Sequence, residues 1–270
     1  MKTTSRSIFS TLDSVRRTKP IVLNLTNYVA MDFVANGLLA VGASPMMAFA
    51  EEEMDEIVRI SGSLSLNIGT LDSQFISRSK TALRSCAENQ KPCVLDPVGC
   101  GASRLRTQTT CELLESRAIS ILRGNGSEIH AVSESSSTVY GVDSTLDATD
   151  APGVAEDLAR RFSTVVVASG KTDLITDGKN TFFISNGHPL MAQVTGMGCL
   201  ASSICGAFAA VEEDTLHVAV SAMAVMGICG EIAAQAAATR GPGSFRLGFL
   251  DALAAVNAND IDTLLRLEIR

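Results

Sequence analysis

The sequence predicts an α/β fold in which helices cover both faces of a mostly parallel central sheet. Short runs of β-branched residues alternate with longer helical patterns along the 270 residues. This alternation is typical of a parallel sheet, because each strand needs a crossover connection to reach the next. Residues 164–168 (TVVVA) are apolar throughout, as in a strand that is buried on both faces.

Hydrophobic periodicity and turn residues assign the individual elements. We predict strands at residues 21–25, 46–49, 64–68, 93–95, 119–122, 165–168 and 182–185. We predict helices at residues 29–40, 51–61, 73–89, 126–132, 154–162, 198–211 and 216–239. The turn dipeptides Asp177-Gly178 and Asn186-Gly187 flank residues 181–185 and indicate that short antiparallel strands extend the sheet there.

The chain is predicted to form a single domain over residues 1–270. Its best loop candidate is the polar stretch at residues 133–144, and predicted elements continue on both sides of it. No low-complexity linker divides the sequence, and no internal repeat of fixed period is visible.

The composition excludes several classes of protein. Hydrophobic residues make up 46% and charged residues 19%, which is too apolar for a disordered, solvated tail. The net charge of −7 argues against nucleic acid or an anionic membrane surface as a partner. The longest stretch without Asp, Glu, Lys or Arg, residues 180–211, is too polar and broken to span a bilayer.

The cysteines indicate a reducing compartment. Their number, 7, is odd, and no CxxC spacing occurs, so the sequence suggests neither a disulfide framework nor a zinc ribbon. Free thiols are typical of reducing compartments, and the first residues lack the apolar run of a signal peptide. We therefore expect a soluble, cytoplasmic protein.

Two glycines, Gly196 and Gly198, precede an apolar stretch that is predicted to be helical. Glycine lets the backbone approach a ligand closely, and the first N–H groups of a helix favour an anion. Residues 196–199 therefore predict an anion site, with a helix start packed on glycine as the alternative. Cys199 lies at this helix start, where a thiol pKa can be lowered and a thiolate could accept a proton. The alternative for Cys199 is a buried small hydrophobe.

Polar groups and glycines recur at the ends of predicted strands, where open parallel sheets bind ligands. Asp96 could hold Mg²⁺ directly or through water, and Glu128 could hold the water shell of the metal. Arg123 could clamp a phosphate, and Ser169 could donate a hydrogen bond to it. The alternatives are a turn cap for Asp96 and, for Glu128, a favourable position in the first turn of a capped helix.

The N-terminal half carries amides and a thioether instead of charges. Asn24 lies near the end of the first predicted strand, and Asn27 follows that strand. Met47 lies in the segment GASPMMA, and Gly69 and Thr70 lie in the segment NIGT. Such groups suit a small, neutral, partly apolar heterocycle. From the residues alone, a core methionine and turn-forming asparagines are the favoured interpretation. The three histidines, at 130, 188 and 217, share no metal-ligand spacing.

Taken together, these motifs resemble the hydroxyethylthiazole kinase family of the ribokinase-like superfamily. The matching segments lie between about Pro20 and Phe245 and are LTNYVAMDFVANGLLAVGASPMMAFA, LNIGTL, VLDPVGCGAS, RGNGSEI, ASGKTDLITDG, NGHPLMAQVTGMGC and GPGSF. The resemblance implies a ribokinase-like fold and transfer of the ATP γ-phosphoryl group, with Mg²⁺, to the hydroxyl of 4-methyl-5-(2-hydroxyethyl)thiazole. The product would be the thiazole phosphate of thiamine salvage. It also implies a homotrimer with active sites between subunits.

The resemblance assigns roles to individual residues. The positions that match the thiazole pocket are Met47, Asn27, Val29, Gly69, Thr70 and Gly196. The positions that match the ATP site are Arg123 and Ser169, and the acidic pair near Mg²⁺ matches Asp96 and Glu128. The catalytic positions are Gly196, Gly198 and Cys199, because residues 196–199 match the anion hole and Cys199 stands where sugar kinases have a catalytic aspartate.

Three positions depart from the family's usual pattern. Asn24 stands where a histidine is usual, Ser169 replaces a threonine, and Met197 replaces a smaller residue between the two glycines. These departures concern substrate affinity more than reaction class. The alternatives are a kinase of the same superfamily for a hydroxymethylpyrimidine or a pyridoxal-like alcohol, a nucleotide-repair dehydratase, and a non-catalytic ligand sensor.

Overall fold

A computed structural model describes residues 3–136, 152–237 and 240–270. Its strands are β1 Ile21–Leu25, β2 Ser44–Met47, β3 Ser63–Asn67, β4 Cys93–Asp96, β5 Ile121–Asn125, β6 Val165–Ser169, β7 Asp173–Thr176, β8 Thr181–Ile184 and β9 Leu267–Ile269. Its α-helices are α1 Ser5–Thr18, α2 Met31–Val41, α3 Met54–Ile60, α4 Ser73–Glu88, α5 Arg104–Glu115, α6 Gly126–Ser136, α7 Pro152–Phe162, α8 Met197–Ala209, α9 Thr215–Ala237, α10 Pro242–Ala255 and α11 Ala258–Leu264. Short 3-10 helices lie at Glu51–Glu53 and Pro189–Gln193.

All of these strands belong to one sheet, in the order β2-β1-β3-β4-β5-β6-β7-β8-β9. The pairings from β2 to β6 are parallel, and those from β6 to β9 are antiparallel. The predicted fold class is confirmed, as is the antiparallel extension. The parallel register pairs Asn24 with Met47 and Asn67 with Asp96, so the carboxyl ends of these strands meet at one edge of the sheet.

Helices cover both faces of the sheet, and each face has its own apolar layer. One layer contains side chains of α1, α2, α8, α9 and α10, and the other contains side chains of α3 to α7. Helix α9 is long and apolar enough to cross a membrane by length and composition. However, 83% of its most apolar stretch is buried inside the fold, as in the core helix of a globular protein.

Small residues line the contact between helix α8 and the sheet. Ser63 Oγ on β3 donates a hydrogen bond of 2.7 Å to the carbonyl oxygen of Gly206. Ser65 Oγ lies 3.1 Å from Ser203 Oγ. A Cβ atom at Gly206 would lie 3.2 Å from Ser63 Oγ, so even an alanine would be crowded there. This contact places the first residues of α8 over the carboxyl ends of the central strands.

Several predicted bounds differ from the structure for local reasons. The strand predicted at 46–49 lies two residues earlier, at Ser44–Met47, where Pro45 is tolerated because β2 is an edge strand. The helix predicted at 51–61 begins as a 3-10 turn before α3. The loop predicted to begin at 133 is wrong at its start, since α6 continues to Ser136. Residues 137–144 of that loop, and residues 238–239 of the predicted last helix, lie outside the described part.

Several elements of the structure lie outside the predicted set. Helices α1 and α5 are rich in serine or threonine, and both depend on capping by Thr4 and Ser103. Strand β7 has four residues and pairs with β6 and β8, and strand β9 has three residues and pairs with β8. Helices α10 and α11 also lie outside the predicted set.

The contact between α2 and α8 provides a test of packing. A Cβ atom at Gly37 would lie 2.3 Å from Cδ1 of Leu200, which is fully buried. We therefore expect Gly37→Ala to lower the free energy of unfolding by about 1–3 kcal/mol through overpacking. The measurement is urea denaturation of the purified protein.

Gly243→Ala is the matched control, because it also adds one methyl group to a helical glycine. Among the described residues, no atom lies within 4 Å of a Cβ atom at Gly243. Its free energy of unfolding should be unchanged or higher by up to about 1 kcal/mol. Equal destabilisation of the two variants would contradict the packing argument.

Candidate active site

The candidate active site lies where the carboxyl ends of the parallel strands face the first turn of α8. A chain of hydrogen bonds crosses this region from Cys199 to Asp96. Asn27 Nδ2 lies 3.2 Å from Cys199 Sγ and donates a 2.8 Å hydrogen bond to Asn67 Oδ1. Asn67 Nδ2 in turn donates a 2.8 Å hydrogen bond to Asp96 Oδ2. Loop residues, a strand end and the helix start are thereby joined in one network.

Asp96 is a buried carboxylate, only 1% exposed at the end of β4. Burial raises the pKa of Asp96 to about 6, and the charge of Glu128 acts in the same direction. The positive charge of Arg123 and the hydrogen bonds from Ser202 and Asn67 favour the charged form. The carboxylate is therefore mostly ionised at neutral pH although it is buried, and its charge acts strongly on anything bound beside it.

Cys199 occupies the third position of α8, after the left-handed Gly196 with a φ angle of 87°. Burial raises the pKa of the Cys199 thiol, and the charge of Asp96 raises it further. The expectation of a lowered thiol pKa at the helix start is therefore wrong. Desolvation and a neighbouring negative charge outweigh the helix terminus and the hydrogen bond from Asn27. The resting side chain at neutral pH is the thiol.

Arg123 lies directly against the start of α8. A Cβ atom at Gly198 would lie 2.8 Å from Arg123 Nη1, so the missing side chain makes room for the guanidinium. Arg123 Nη2 donates a 2.8 Å hydrogen bond to Ser169 Oγ, and Ser169 Oγ donates to the carbonyl of Gly124 at 3.2 Å. Arg123 Nε is buried without a hydrogen-bond partner among the described residues. The residues predicted to bind phosphate thus form a single cluster.

This cluster opens into a cavity of about 730 Å³. The volume is in the range of pockets that hold nucleotide-sized ligands. Its polar end includes Arg123, Ser169 and Gly198, and its apolar part includes methionines, namely Met191, Met197, Met223 and Met226. The methionines of α9 were not predicted here because their helical spacing is equally typical of a core helix.

Asp173 also lines this cavity and was not selected from the sequence. It begins β7 and accepts a 3.0 Å hydrogen bond from the backbone N–H of Gly170. Burial raises the pKa of Asp173 to about 6, against the favourable charge of Arg123. In the sequence, the only indication that Asp173 belongs to this site is its place in the segment ASGKTD, four residues after Ser169.

The residues assigned to the thiazole pocket form a second group at the same sheet edge. A Cβ atom at Gly69 would lie 2.8 Å from Asn27 Cβ, and the backbone N–H of Tyr28 donates to Thr70 Oγ1 at 3.4 Å. Val29 is 70% exposed, and Met47 is half-buried against the core layer of α8. Residues 27–28 are therefore in contact with residues 69–70, whereas Val29 faces solvent. None of these residues lines the large cavity.

Glu128 has the capping role that the alternative interpretation predicts. Its Oε2 accepts a 2.8 Å hydrogen bond from the N–H of Asn125, and its Oε1 accepts one of 2.8 Å from the N–H of Gly99. Within the described residues, no group of three or more His, Cys, Asp or Glu side chains is arranged to hold a metal ion. A cation held here by two carboxylates would keep most of its water or share a ligand's oxygens, which is the usual behaviour of Mg²⁺.

The departures from the family pattern are accommodated inside the fold. Asn24 Nδ2 donates to the carbonyl of Val22 at 2.8 Å, and Ser203 Oγ donates to Asn24 Oδ1 at 2.8 Å. Met197 is buried and packs in the α8 layer. Asn24 therefore supports α8 instead of presenting its amide to a ligand.

The sheet order, with helices on both faces, is that of the ribokinase-like fold. A solved pyridoxal kinase from Staphylococcus aureus, in complex with pyridoxal, has a TM-score of 0.64 at 14% identity and covers 93% of this chain and 98% of its own. At that identity the likeness extends to the fold alone.

More specific comparisons identify the family. The profile of the hydroxyethylthiazole kinase family matches residues 12–259. A hydroxyethylthiazole kinase from Nitratidesulfovibrio vulgaris is 49% identical over 96% of both chains. The structure of a hydroxyethylthiazole kinase protein from Pyrococcus horikoshii has a TM-score of 0.90 at 38% identity and covers 98% of this chain and 99% of its own. The chain belongs to the hydroxyethylthiazole kinase family.

The buried carboxylate of Asp173 leads to a stability prediction. Raising its pKa from about 3.9 to about 6 costs about 3 kcal/mol at pH values where the group is ionised. Because the folded pKa is the higher one, the contribution of Asp173 to stability rises as the pH falls from about 6 to about 4. Asp173→Asn lacks this cost and should be more stable by up to about 3 kcal/mol at pH 8, with a smaller advantage at pH 5.

Chemical denaturation at the two pH values measures this difference. Asp251→Asn makes the same change on the exposed side of α10 and serves as the control. A stabilisation of Asp173→Asn that is the same at pH 8 and pH 5, or that Asp251→Asn also shows, would contradict the electrostatic origin.

Proposed function

We propose that this protein phosphorylates the hydroxyl of 4-methyl-5-(2-hydroxyethyl)thiazole with ATP and so produces the thiazole phosphate used in thiamine salvage. The observation that carries the proposal is the buried hydrogen-bond chain from Cys199 to Asp96. It joins the loops of the alcohol side to the carboxylate beside Arg123, at the start of α8. Phosphoryl transfer needs this kind of positioning and charge stabilisation more than it needs covalent chemistry.

ATP is proposed to occupy the 730 Å³ cavity with its phosphates at the polar end. Arg123 and Ser169 would bind phosphate oxygens, and the N–H groups of residues 196–199 would stabilise the transferred group. Asp96 and Glu128 would hold Mg²⁺ mainly through water, since both Glu128 oxygens already accept backbone hydrogen bonds. When bound, Mg²⁺ neutralises charge on the phosphates.

The thiazole alcohol is proposed to bind at the second group of residues. Asn27, Gly69 and Thr70 would form one wall, Met47 and Val29 would contact the apolar ring, and Gly196 would let the hydroxyl approach the helix start. Cys199 would contact the alcohol as a thiol, so proton transfer does not depend on a preformed thiolate. Its contribution as a base is therefore small.

We further propose a homotrimer in which a neighbouring subunit completes this pocket. Tyr28 and Val29 are 62% and 70% exposed, and Tyr28 stacks on Phe49 at a ring-centroid distance of 6.2 Å. Large apolar side chains that are exposed together beside a candidate pocket suit a subunit contact.

Light scattering of the purified protein should give a mass of about three times 28.3 kDa, and a fully active monomer would contradict the shared site. A cytoplasmic location is part of the same proposal.

The direct test is a kinase assay with three alcohols: the thiazole, a hydroxymethylpyrimidine and pyridoxal. We expect ATP- and Mg²⁺-dependent turnover of the thiazole alcohol, with a phosphate monoester as the product in phosphorus NMR. Preference for another alcohol would favour a different kinase of the superfamily. ATP hydrolysis without phosphorylation of any alcohol would contradict the proposal.

Two substitutions separate the alcohol pocket from the phosphate site. Met47→Ala should raise the KM for the thiazole about tenfold or more and change the KM for ATP less, because it removes apolar contact from the ring. Arg123→Ala should do the reverse, because it removes charge-assisted hydrogen bonds to phosphate. Steady-state kinetics with each substrate varied measures both constants. If both variants change only the KM for ATP, the pocket assignment is wrong.

A third substitution measures the role of the thiol. Cys199→Ala should lower kcat by about 100-fold at most, the low end for a general base, and leave the KM for ATP nearly constant. The backbone N–H groups and Arg123 remain in this variant and supply the larger share of stabilisation. An unchanged kcat would make Cys199 a packing residue.

Gly198→Val should lower kcat more than Cys199→Ala does. A side chain at Gly198 meets Arg123 Nη1 at 2.8 Å and would displace the guanidinium from the helix start. Circular dichroism must show that both variants are folded. A Gly198→Val enzyme that is more active than Cys199→Ala would contradict the anion-site assignment.

A further inference from the structure

We infer that Arg106 is a positioning residue whose guanidinium ties the loop after β3, residues 68–70, to the loop after β4, residues 97–101. The first loop carries Gly69 and Thr70 of the proposed alcohol pocket, and the second follows Asp96 and contacts Glu128. This inference rests on the proposed function and adds to it a residue that controls the distance between its two halves.

The hydrogen bonds of Arg106 reach both loops at once. Its Nη1 donates to the carbonyl oxygens of Ile68 at 2.8 Å and Val98 at 2.7 Å. Its Nη2 donates to the carbonyl oxygen of Gly69 at 2.8 Å. All three acceptors are main-chain groups, so these bonds hold the backbone of each loop. A planar guanidinium can span acceptors in several fixed directions, which a lysine ammonium on its flexible stem cannot reproduce.

Local structure around Arg106 keeps the side chain in this place. Its backbone N–H donates to Ser103 Oγ, the N-cap of α5, at 3.3 Å. Thr107 Oγ1 accepts a 2.9 Å hydrogen bond from the N–H of Gly101. Gly99 has a φ angle of 74°, and a Cβ atom there would lie 3.1 Å from Arg106 Cδ. The loop after β4 is therefore wrapped against the side chain that links it to its neighbour.

Each tied loop holds a group of the candidate site. The N–H of Gly69 donates to Asn67 Oδ1 at 3.0 Å, the same oxygen that accepts from Asn27. The N–H of Gly99 donates to Glu128 Oε1 at 2.8 Å. Movement of either loop would release these side chains, and small displacements of reacting groups are costly in phosphoryl transfer. Arg106 thus acts through Asn67 and Glu128.

The kinetic test compares Arg106→Ala and Arg106→Lys with Arg104→Ala, an exposed position on the same helix. We expect kcat/KM for the thiazole alcohol to fall about 10- to 100-fold in both Arg106 variants and to stay near wild type in the control. Guanidinium at low millimolar concentration should restore part of kcat/KM in Arg106→Ala and none in Arg106→Lys, where the side chain fills the space. A lesion that is only structural would not respond to guanidinium.

Hydrogen exchange gives a readout that does not need the activity. The amides of Gly69 and Gly99 should exchange faster together in both Arg106 variants, because one side chain holds both loops. Wild-type kinetics in a folded Arg106→Lys enzyme, absence of guanidinium rescue in Arg106→Ala, or faster exchange in only one loop would each overturn the inference. If the wild-type protein fails to phosphorylate the thiazole alcohol, the proposed function fails and the exchange experiment still decides the role of Arg106. If Arg106→Ala does not fold, Arg106→Lys decides it.

Discussion

The site depends on the burial of one carboxylate, that of Asp96, at the end of a central strand. A buried carboxylate is costly unless donors surround it, and here Asn67 and Ser202 each donate a 2.8 Å hydrogen bond to Oδ2. Asn67 lies on the neighbouring strand and Ser202 lies on α8, so the two donors fix the strand register and the height of the helix together. The same network orients Asn27 and Cys199. The carbonyl oxygen of the Asn67 side chain accepts a hydrogen bond from Asn27 Nδ2, which also lies 3.2 Å from Cys199 Sγ.

This constraint explains the small residues of α8. Ser202 can reach Asp96 only if the helix lies close to the sheet, and the contacts of Ser63 with Gly206 and of Ser65 with Ser203 permit that approach. Larger side chains on this face would lift the helix away and remove the Ser202 hydrogen bond from the carboxylate. The composition that makes the segment look like an ordinary apolar helix is thus what brings its first N–H groups to the strand ends.

Much of the fold was predictable, because the parallel core follows from periodicity that is local in the sequence. The strand ends at Asp96, Arg123 and Ser169 were predictable for the same reason, since parallel order brings them to one edge. The direction of the pKa shift of Cys199 was not predictable, because it depends on burial and on the charge of Asp96, which is 103 positions away in the sequence. The hydrogen bonds of Asn67 to Asp96 and of Arg106 to Val98 and Gly69 were not predictable either, since the first and last of these join groups that only the tertiary structure brings together. Asp173 was missed because its one local contact, with the N–H of Gly170, does not reveal that its side chain is buried beside the cavity.

The charges of the site also bear on what it can bind. The carboxylates of Asp96 and Asp173 both interact with one guanidinium, that of Arg123, and Glu128 adds a third negative charge that acts on Asp96. This cluster alone would repel a triphosphate, because buried charges are weakly screened. The N–H groups at the start of α8 and the Lys171 side chain at the cavity supply part of the missing positive potential. In the proposed reaction the remainder would enter with the substrate, as a divalent cation that Asp96 and Glu128 would hold and that would neutralise charge on the phosphates. The acidic character of the site is therefore the physical argument that ATP would enter the proposed reaction as its Mg²⁺ complex.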